Sequence, residues 1–418
     1  MDFMVRAYRT HFRKLSPNVK LFLIGNAFQG VGLSIYGLLF NLYLKELGFG
    51  ESTIGGLIST TSLGISLMAL PAAFFIDKFF VKHLVVVGLF FSSILYGSQM
   101  LVTGESSLYA LGLGASMFQA LFNISVSPFY LRNSSPDVRV YLFSLNSALN
   151  MAAHLVGYLL GGYLPEIIRS FYPDWDALVL YRSSIFVAVS IIFCSNLIFL
   201  RIKKVSRPHL KRSFLQNLKE KDWGILGKLI IPKLCFAFGG GLVVPFMNIY
   251  LKDKFDLSTK MIGISYALLQ FFIFMGLFMT PVLVKKTTHL RFILLTATLS
   301  IPFMLTMGLT GNVILVVSSF FLRGMLMNMS GPITSMFEME HVREQECVFA
   351  SATILFFYHM VYTSSTRLGG ILIEKYSFGP TFFMAAFFYA LAIFLYYHFF
   401  KKEDSVIMRN EETFIEAA

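Results

Sequence analysis

Long apolar runs fill this chain almost from end to end, and short polar stretches separate them. Segments such as LVVVGLFFSSILYGSQMLV and FFMAAFFYALAIFLYYHFF are apolar on every face over about 20 residues, the length of a helix that crosses a bilayer. Strands of a membrane barrel would alternate apolar and polar side chains instead. Only a helix satisfies its own backbone hydrogen bonds over such a run in hydrocarbon. The pattern therefore predicts an all-α membrane protein.

The apolar runs predict twelve transmembrane helices. We place them at residues 20–44, 53–76, 84–103, 108–131, 141–165, 180–200, 229–251, 260–284, 290–310, 312–337, 347–372 and 379–400. Composition agrees with this assignment, because 56 % of the 418 residues are hydrophobic and only 14 % are charged. A soluble domain carries about a quarter charged residues.

Basic residues sort by the side of the membrane on which these spans would place them. Most of the 35 lysines and arginines fall in segments that would lie on the same side of the membrane as the N-terminus. Cytoplasmic loops carry such an excess, so we expect a multi-pass plasma-membrane protein with both termini in the cytoplasm. Topology then accounts for the net charge of +12, and no nucleic-acid partner is expected.

A polar, basic segment divides the chain near its midpoint. We expect residues 201–228, which include Pro208, to be a cytoplasmic linker. It would join an N-terminal six-helix bundle over residues 1–200, with a basic cytoplasmic N-terminus, to a C-terminal six-helix bundle over residues 229–402. A cytoplasmic tail would follow over residues 403–418.

A polar signature occurs once in each half of the chain. NLYLKELGFGESTIGG begins at Asn41, and NIYLKDKFDLSTKMIGI begins at Asn248. Gly55 and Gly263 match within these stretches, and two further pairs follow at nearly the same separation: Arg139 with Arg343, and His154 with His359. Such a repeat predicts two pseudo-symmetric bundles related by an axis along the membrane normal.

Twelve spans in two halves, a basic central loop and a polar stretch after the second span resemble the major facilitator superfamily of secondary transporters. That superfamily carries Gly-x-x-x-Asp-Arg/Lys-x-Gly-Arg/Lys between spans two and three, and the matching stretch here is AFFIDKFFVK. Asp77, Lys78 and Lys82 match, whereas Ala73 and Phe80 replace the glycines. The resemblance implies that Asp77, Lys78 and Lys82 form a conformational latch between the halves. An ordinary charge at a helix end is the alternative.

One arginine is predicted deep inside a span. Arg323 lies in span ten and aligns with Gln119 of the other half. An arginine at the centre of a membrane helix costs about 2.5–3.5 kcal/mol on insertion scales and usually faces a cavity. We therefore expect Arg323 and Gln119 to bind or gate a substrate. A structural arginine bonded to helix carbonyls is the alternative for Arg323.

Two histidines occupy matching depths. His154 lies in span five and His359 in span eleven, and Arg367 follows His359 by two turns. If protons are coupled to transport, these three residues are the central candidates for proton handling. The alternative for each histidine is a neutral ring hydrogen-bonded between helices.

Acidic side chains are absent from the middle of every predicted span. Glu338 and Glu340 fall at the cytoplasmic end of span ten, and Lys233 lies near the end of span seven, where it is expected to snorkel to water. The ionisable side chains predicted deep in the membrane are positive or neutral. An anionic or zwitterionic substrate is therefore electrostatically more favourable there than a cation.

Neutral amides complete the candidate set. The resemblance implies that spans one, four, seven and ten line a cavity flanked by spans five and eleven. Five amides in these spans are candidates for substrate binding: Asn26, Gln29, Asn123, Asn150 and Asn328. Such side chains also bond membrane helices to one another, which is the alternative. In span seven, Gly239-Gly240-Gly241 followed by Pro245 predicts either a deformable stretch or close helix packing.

These features favour a monomeric secondary transporter that moves a small organic solute across the bilayer by alternating access, with a proton as candidate coupling ion. An exporter of drugs or lipid-like amphiphiles is one alternative, and a non-transporting receptor or scaffold on the same fold is another. The P-loop pattern GxxxxGK[ST] is missing, and the three cysteines have no metal or disulfide spacing. We therefore expect no enzyme, no cofactor and no metal site.

Overall fold

The structure, a computed structural model, describes residue 12 and residues 15–203, 223–285, 287–343 and 347–416. The basic N-terminal segment and most of the predicted linker lie outside the described residues. The chain divides into two compact units, which are described separately below. The first comprises residues 1–214 and 251–270, and the second comprises residues 215–250 and 271–418.

Within residues 15–203, the structure describes six helices before the linker. They are α1 (Pro17–Glu46), α2 (Glu51–Lys78), α3 (Val81–Ser98), α4 (Glu105–Asn133), α5 (Pro136–Phe171) and α6 (Ala177–Leu200).

In the described part of the chain after the linker, there are eight helices. They are α7 (Trp223–Val243), α8 (Met247–Phe255), α9 (Thr259–Val284), α10 (His289–Leu309), α11 (Val313–Met329), α12 (Gly331–Glu340), α13 (Cys347–Tyr376) and α14 (Gly379–Glu416).

Polar side chains cap several of these helices. Ser16 Oγ accepts a hydrogen bond of 3.3 Å from a backbone N–H in the first turn of α1. Asp176 does the same for α6 at 2.8 Å, and Asn312 for α11 at 2.9 Å. Each cap satisfies a backbone donor that has no partner inside the helix, so these residues set where the helices begin.

Eleven helical segments of the described chain are long and apolar enough to cross a membrane. They coincide with eleven of the twelve predicted spans. The remaining prediction, residues 347–372, is also helical, as α13. The final helix, α14, continues to Glu416, through most of the segment that we expected to be a tail.

Two of the predicted spans are interrupted, which the hydropathy pattern did not indicate. The seventh begins early, at Trp223, and contains a 3-10 turn at Val244–Phe246 between α7 and α8. Pro245 lies in that turn and lacks the N–H that a continuous helix would use. The tenth span is divided at Ser330, just before Pro332, into α11 and α12. Both interruptions therefore have a proline at their start.

The first helix of each half has equivalent neighbours. In the first unit α1 packs against α5 and α6, and in the second unit α7 packs against α13 and α14. Phe22 of α1 lies in the apolar core of the first unit, with its ring centroid 4.1 Å from that of Phe129 and 5.0 Å from that of Phe199. The shared packing order agrees with the internal repeat found in the sequence.

Residues 251–270, from α8 and the first part of α9, belong to the first unit. Gly162 of α5 and Gly263 of α9 meet there back to back, so that a Cβ built on Gly263 would lie 2.6 Å from Cα of Gly162. A hydrogen bond of 2.8 Å between the hydroxyls of Tyr181 and Thr259 lies in the same region. Glycine at both positions is therefore required for this close approach of the two helices.

Candidate functional site

Asn26 belongs to a hydrogen-bonded group inside the first unit. Its Nδ2 donates to Oδ1 of Asn146 at 2.8 Å, and the Tyr130 hydroxyl donates to the same oxygen at 2.7 Å. These contacts join α1, α4 and α5. Asn26 is almost fully buried, so the arrangement agrees with the alternative that this amide bonds helices together.

Two glutamines of the first unit keep unsatisfied polar atoms in the interior. Gln29 and Gln119 are each 4 % exposed. Nε2 of Gln119 donates to Oδ1 of Asn123 at 3.2 Å, whereas no described residue bonds to Oε1 of Gln119 or to Nε2 of Gln29. A buried polar atom without a partner costs free energy, which a bound ligand or water can recover. Both glutamines therefore remain candidates for ligand contacts, and Asn123 is an exposed neighbour.

His154 takes part in a second hydrogen-bonded group of the first unit. Its Nδ1 lies 2.6 Å from Oγ of Ser34, and that hydroxyl donates to the carbonyl of Gly30 at 2.9 Å. Which of the two atoms donates in the bond between Ser34 and His154 depends on the tautomer of the histidine. Tyr158 is hydrogen-bonded to Ser34 and to Gln270. The histidine thus connects α5 to α1.

Asn150 lies one turn before His154 on α5. Its Oδ1 is 4.0 Å from the position that a Cβ would take at Gly30 of α1, and its side chain is half-buried. The structure therefore places Asn150 beside α1, next to the group around His154.

Arg323 lies inside the second unit with 6 % of its surface exposed. Its guanidinium donates to the hydroxyl of Tyr389 on α14 and lies 5.4 Å from the centroid of that ring. Tyr358 and Tyr362 of α13 interact electrostatically with the guanidinium. Nε of Arg323 has no partner among the described residues.

No carboxylate forms an ion pair with Arg323 within the described ranges. Its side chain is bonded to a tyrosine hydroxyl rather than to helix carbonyls, which was the alternative that we considered. A buried cation with a free donor and no counter-charge is suited to an anion.

The three glycines of α7 allow side chains of α13 and α14 to approach the α7 backbone closely. A Cβ on Gly239 would lie 2.8 Å from the Tyr389 ring, and a Cβ on Gly240 would lie 3.5 Å from the Tyr389 hydroxyl. A Cβ on Gly241 would lie 2.9 Å from Oγ of Ser365. Close helix packing is therefore one function of this glycine triplet.

The other candidates of the second unit form no hydrogen bond with Arg323 among the described residues. Nδ1 of His359 is buried and has no partner in the described part of the chain. Asn328 is exposed, and its Nδ2 donates to the carbonyl of Gly324 on its own helix at 2.8 Å. Arg367 is exposed.

The residues of the predicted latch lie at the end of α2 and the start of α3. Nζ of Lys82 donates to the carbonyl of Leu200 at the end of α6, at 2.8 Å. Lys78 is exposed, and the side chain of Asp77 lies outside the described part of the structure. The latch stays a prediction.

One buried ion pair was missed by the sequence reasoning. Glu338 of α12 is 3 % exposed, and both of its carboxylate oxygens accept hydrogen bonds from Nζ of Lys233, at 2.7 and 2.8 Å. We expected Lys233 to snorkel to water and placed Glu338 at the cytoplasmic end of span ten. The signal that could have found the pair is that both residues were placed near the cytoplasmic ends of their spans and carry opposite charges.

The sequence matches the family model described as Major Facilitator Superfamily over residues 22–366. The chain belongs to the Major Facilitator Superfamily. It is accordingly a multi-pass membrane protein with the all-α fold of that superfamily. Members of the superfamily are transporters, in general not enzymes, and bind small-molecule substrates within the membrane.

Solved transporter structures of the Major Facilitator Superfamily share this fold. A bacterial homologue of the human lysosomal transporter Spinster, in an inward-facing and occupied conformation, has a TM-score of 0.75 at 11 % identity over 93 % of this chain and 96 % of that chain. The nucleoside transporter NupG has a TM-score of 0.73 at 13 % identity over 92 % of this chain and 100 % of its own. The D-xylose–proton symporter has a TM-score of 0.71 at 13 % identity over 91 % and 96 %.

At these identities the likeness extends to the fold of the superfamily and leaves the substrate open. No curated protein matches the sequence. The substrate of this superfamily member must therefore be argued from its own buried residues.

Proposed function

We propose that this protein is a secondary active transporter that moves a small anionic or zwitterionic organic solute by alternating access, coupled to protons. Membership of the Major Facilitator Superfamily supports secondary transport in general. The observation that carries the substrate class is Arg323, a buried cation with a free Nε donor and no carboxylate partner among the described residues.

The surroundings of Arg323 fit an anion better than a cation. Tyr358, Tyr362 and Tyr389 can donate hydrogen bonds through their hydroxyls and offer ring faces to an organic body. A cationic drug would meet the guanidinium, which has no carboxylate partner among the described residues to offset the repulsion. A carboxylate, in contrast, can accept two parallel hydrogen bonds from an arginine.

Uptake into proteoliposomes tests this function. Wild-type protein would be assayed with labelled benzoate, succinate and a zwitterionic amino acid, and in parallel with the cationic dye ethidium. We expect uptake of at least one of the first three and none of ethidium. Arg323→Ala should remove that uptake. Arg169→Ala, which truncates an exposed arginine at the end of α5, is the matched control and should transport as the wild type does.

The outcomes separate the alternatives. Transport of ethidium that persists in Arg323→Ala would show an exporter of amphiphilic drugs. A receptor or scaffold would give a different result. Such a protein would move no solute of any class, and its cellular role would tolerate substitution of Gln29, Gln119 and Arg323.

Topology and assembly are proposed on the same basis. The excess of lysine and arginine on the side of the linker supports cytoplasmic termini in the plasma membrane. The internal repeat supports two six-helix bundles joined by that linker, and we propose a monomer as the working unit. Labelling of single cysteines placed in the tail and between α1 and α2, from each side of intact cells, tests the topology.

A further inference from the structure

The ion pair between Lys233 and Glu338 lies in the apolar core of the second unit. Leu229 of α7, Phe337 of α12, and Tyr396 and Phe400 of α14 are all buried in that core. The carboxylate of Glu338 is 3 % exposed, whereas the side chain of Lys233 is 25 % exposed. The two members of the pair are therefore unequal, because the lysine can reach water on its flexible stem and the glutamate cannot.

Removing the lysine would leave an ionised carboxylate alone among apolar side chains. An isolated buried charge is so unfavourable that the group neutralises instead. A displacement of Lys233 therefore draws a proton onto Glu338, and the return of Lys233 expels it. The carboxylate becomes a carboxylic acid while the lysine keeps its own proton, so one proton is taken from water in each such step.

A second buried group is placed to receive the protonated form. The hydroxyl of Tyr396 is fully buried and interacts electrostatically with Glu338, yet it has no hydrogen-bond partner in the described ranges. It could donate to the carboxylate when Lys233 is away, or accept from the carboxylic acid.

The other titratable groups near α12 are directed elsewhere. Glu340 pairs with His289 of α10, with Oε2 of Glu340 3.1 Å from Nδ1 of His289. Nδ1 of His341 lies 2.7 Å from the carbonyl oxygen of Phe337. Among the described residues, Lys233 and Tyr396 are the titratable groups that interact with Glu338.

Each helix that carries a member of the pair borders a break in its span. The short helix α12 is separated from α11 at Ser330, directly before Gly331-Pro332, and α7 ends in the 3-10 turn at Val244–Phe246. Because α12 and α7 are joined by the ion pair, protonation of Glu338 would release the short helix α12 from α7.

We propose that Glu338 is the proton-coupling carboxylate of this transporter, and that Lys233 is the internal cation that alternates with the proton. The inference rests on the proposed transport, and it replaces His154 and His359 as the first place to look for the coupling ion.

Two measurements on the full chain in lipid nanodiscs test the proton site without any solute. Infrared difference spectra between neutral and acidic buffer should show the carbonyl band of a protonated buried carboxylic acid in the wild type. The band should be missing in Glu338→Gln and kept in Glu340→Gln, the matched control two residues away. Hydrogen exchange of residues 331–340, corrected for the intrinsic effect of pH, should become at least about tenfold faster in the wild type as the band appears.

A wild type without the band, or a band that Glu340→Gln removes instead, would overturn the proposal. Because the exchange measurement can be made on the wild type alone, it remains decisive if Glu338→Gln fails to fold. Exchange of residues 331–340 that is independent of pH counts against the release of α12.

Transport supplies the third measurement. For one proton per cycle, a gradient of one pH unit supports about tenfold accumulation of the anion that the wild type carries. Glu338→Gln should retain exchange of labelled for unlabelled anion and lose that accumulation. If the wild type moves no solute, the proposed transport fails while the infrared and exchange results still decide the proton site. Accumulation that survives in Glu338→Gln would exclude Glu338 as the coupling group.

Discussion

Nζ of Lys45 lies 2.8 Å from Oδ2 of Asp253, so the lysine of the first repeated segment pairs with the acid of the second. Lys45 also pairs with Glu51 at the start of α2. In the second copy Lys252 pairs with Asp256 at 2.9 Å and interacts electrostatically with Glu46 of the first copy. The two copies of the signature thus exchange charged contacts inside the first unit, which is one structural reason for their similarity.

The Lys45–Asp253 pair should contribute little but measurably to stability. Both side chains are about one-third exposed, so Asp253→Asn is expected to lower the free energy of unfolding by about 1 kcal/mol or less. Asp253→Lys should be worse, because it places two cations together. Thermal unfolding in detergent at low and high salt checks both, since salt screens exposed pairs. Asp256→Asn, at a fully exposed acid, is the control and should leave the midpoint almost unchanged. Equal effects at both acids would contradict the pairing.

The contact of Gly162 with Gly263 predicts that a larger side chain at either position destabilises the protein. Gly263→Val should lower the free energy of unfolding by about 1–3 kcal/mol, because the new side chain would push α9 away from α5. Gly37→Ala is the matched control: a Cβ there meets no atom within 4 Å, and alanine in a helix is favoured over glycine by about 0.5–1 kcal/mol. Unfolding midpoints in detergent compare the two. A tolerated valine at position 263 would show that the helices do not touch there.

Replacement of Arg323 should change the stability of the protein and its transport activity in opposite directions. Arg323→Met removes a buried cation that has no counter-charge among the described residues, and should raise the free energy of unfolding by about 1–3 kcal/mol. The same variant should reduce uptake of the transported anion by about tenfold or more. A variant that is both less stable and still active would mean that Arg323 is a structural residue.

The hydrogen bonds around Asn146 predict non-additive losses. Its Oδ1 accepts from Asn26 and from Tyr130, and the Tyr130 side chain is also hydrogen-bonded to Asn26. Asn146→Ala and Tyr130→Phe therefore each remove two bonds, and the bond between Asn146 and Tyr130 is common to both. A hydrogen bond between membrane helices contributes about 0.6 kcal/mol, so the double variant should cost less than the sum of the single variants by about that amount. Additive losses in this cycle would exclude a shared acceptor.

Most of the architecture followed from local sequence. Apolar length located the spans, and the spacing of the repeated Asn-x-Tyr-Leu-Lys segment indicated two related halves. Pro245 and Gly331-Pro332 were visible signals for the interruptions in spans seven and ten. Hydropathy alone did not reveal them, because an average over 20 residues does not register one missing hydrogen bond.

The partners of the buried polar groups could not be predicted in the same way. Arg323 was identified by its depth, but its bond to Tyr389 depends on how α14 packs against α11, and no spacing along the chain encodes that. For Glu338 the error was larger: its position near a helix end suggested water, whereas Lys233 from a distant segment covers it. Such pairings arise from tertiary packing, which a single sequence does not display.

The bond between Arg323 and Tyr389 also bears on the order in which the protein is made. Ribosomes deliver α11 well before α14, which is the last helix of the chain. Until α14 enters the bilayer, Arg323 has to remain near the translocon or the lipid headgroups, because a lone guanidinium is poorly tolerated in hydrocarbon. The final helix is therefore needed to complete the membrane insertion of α11, and chains truncated before Gly379 should be recognised as unfinished by cellular quality control.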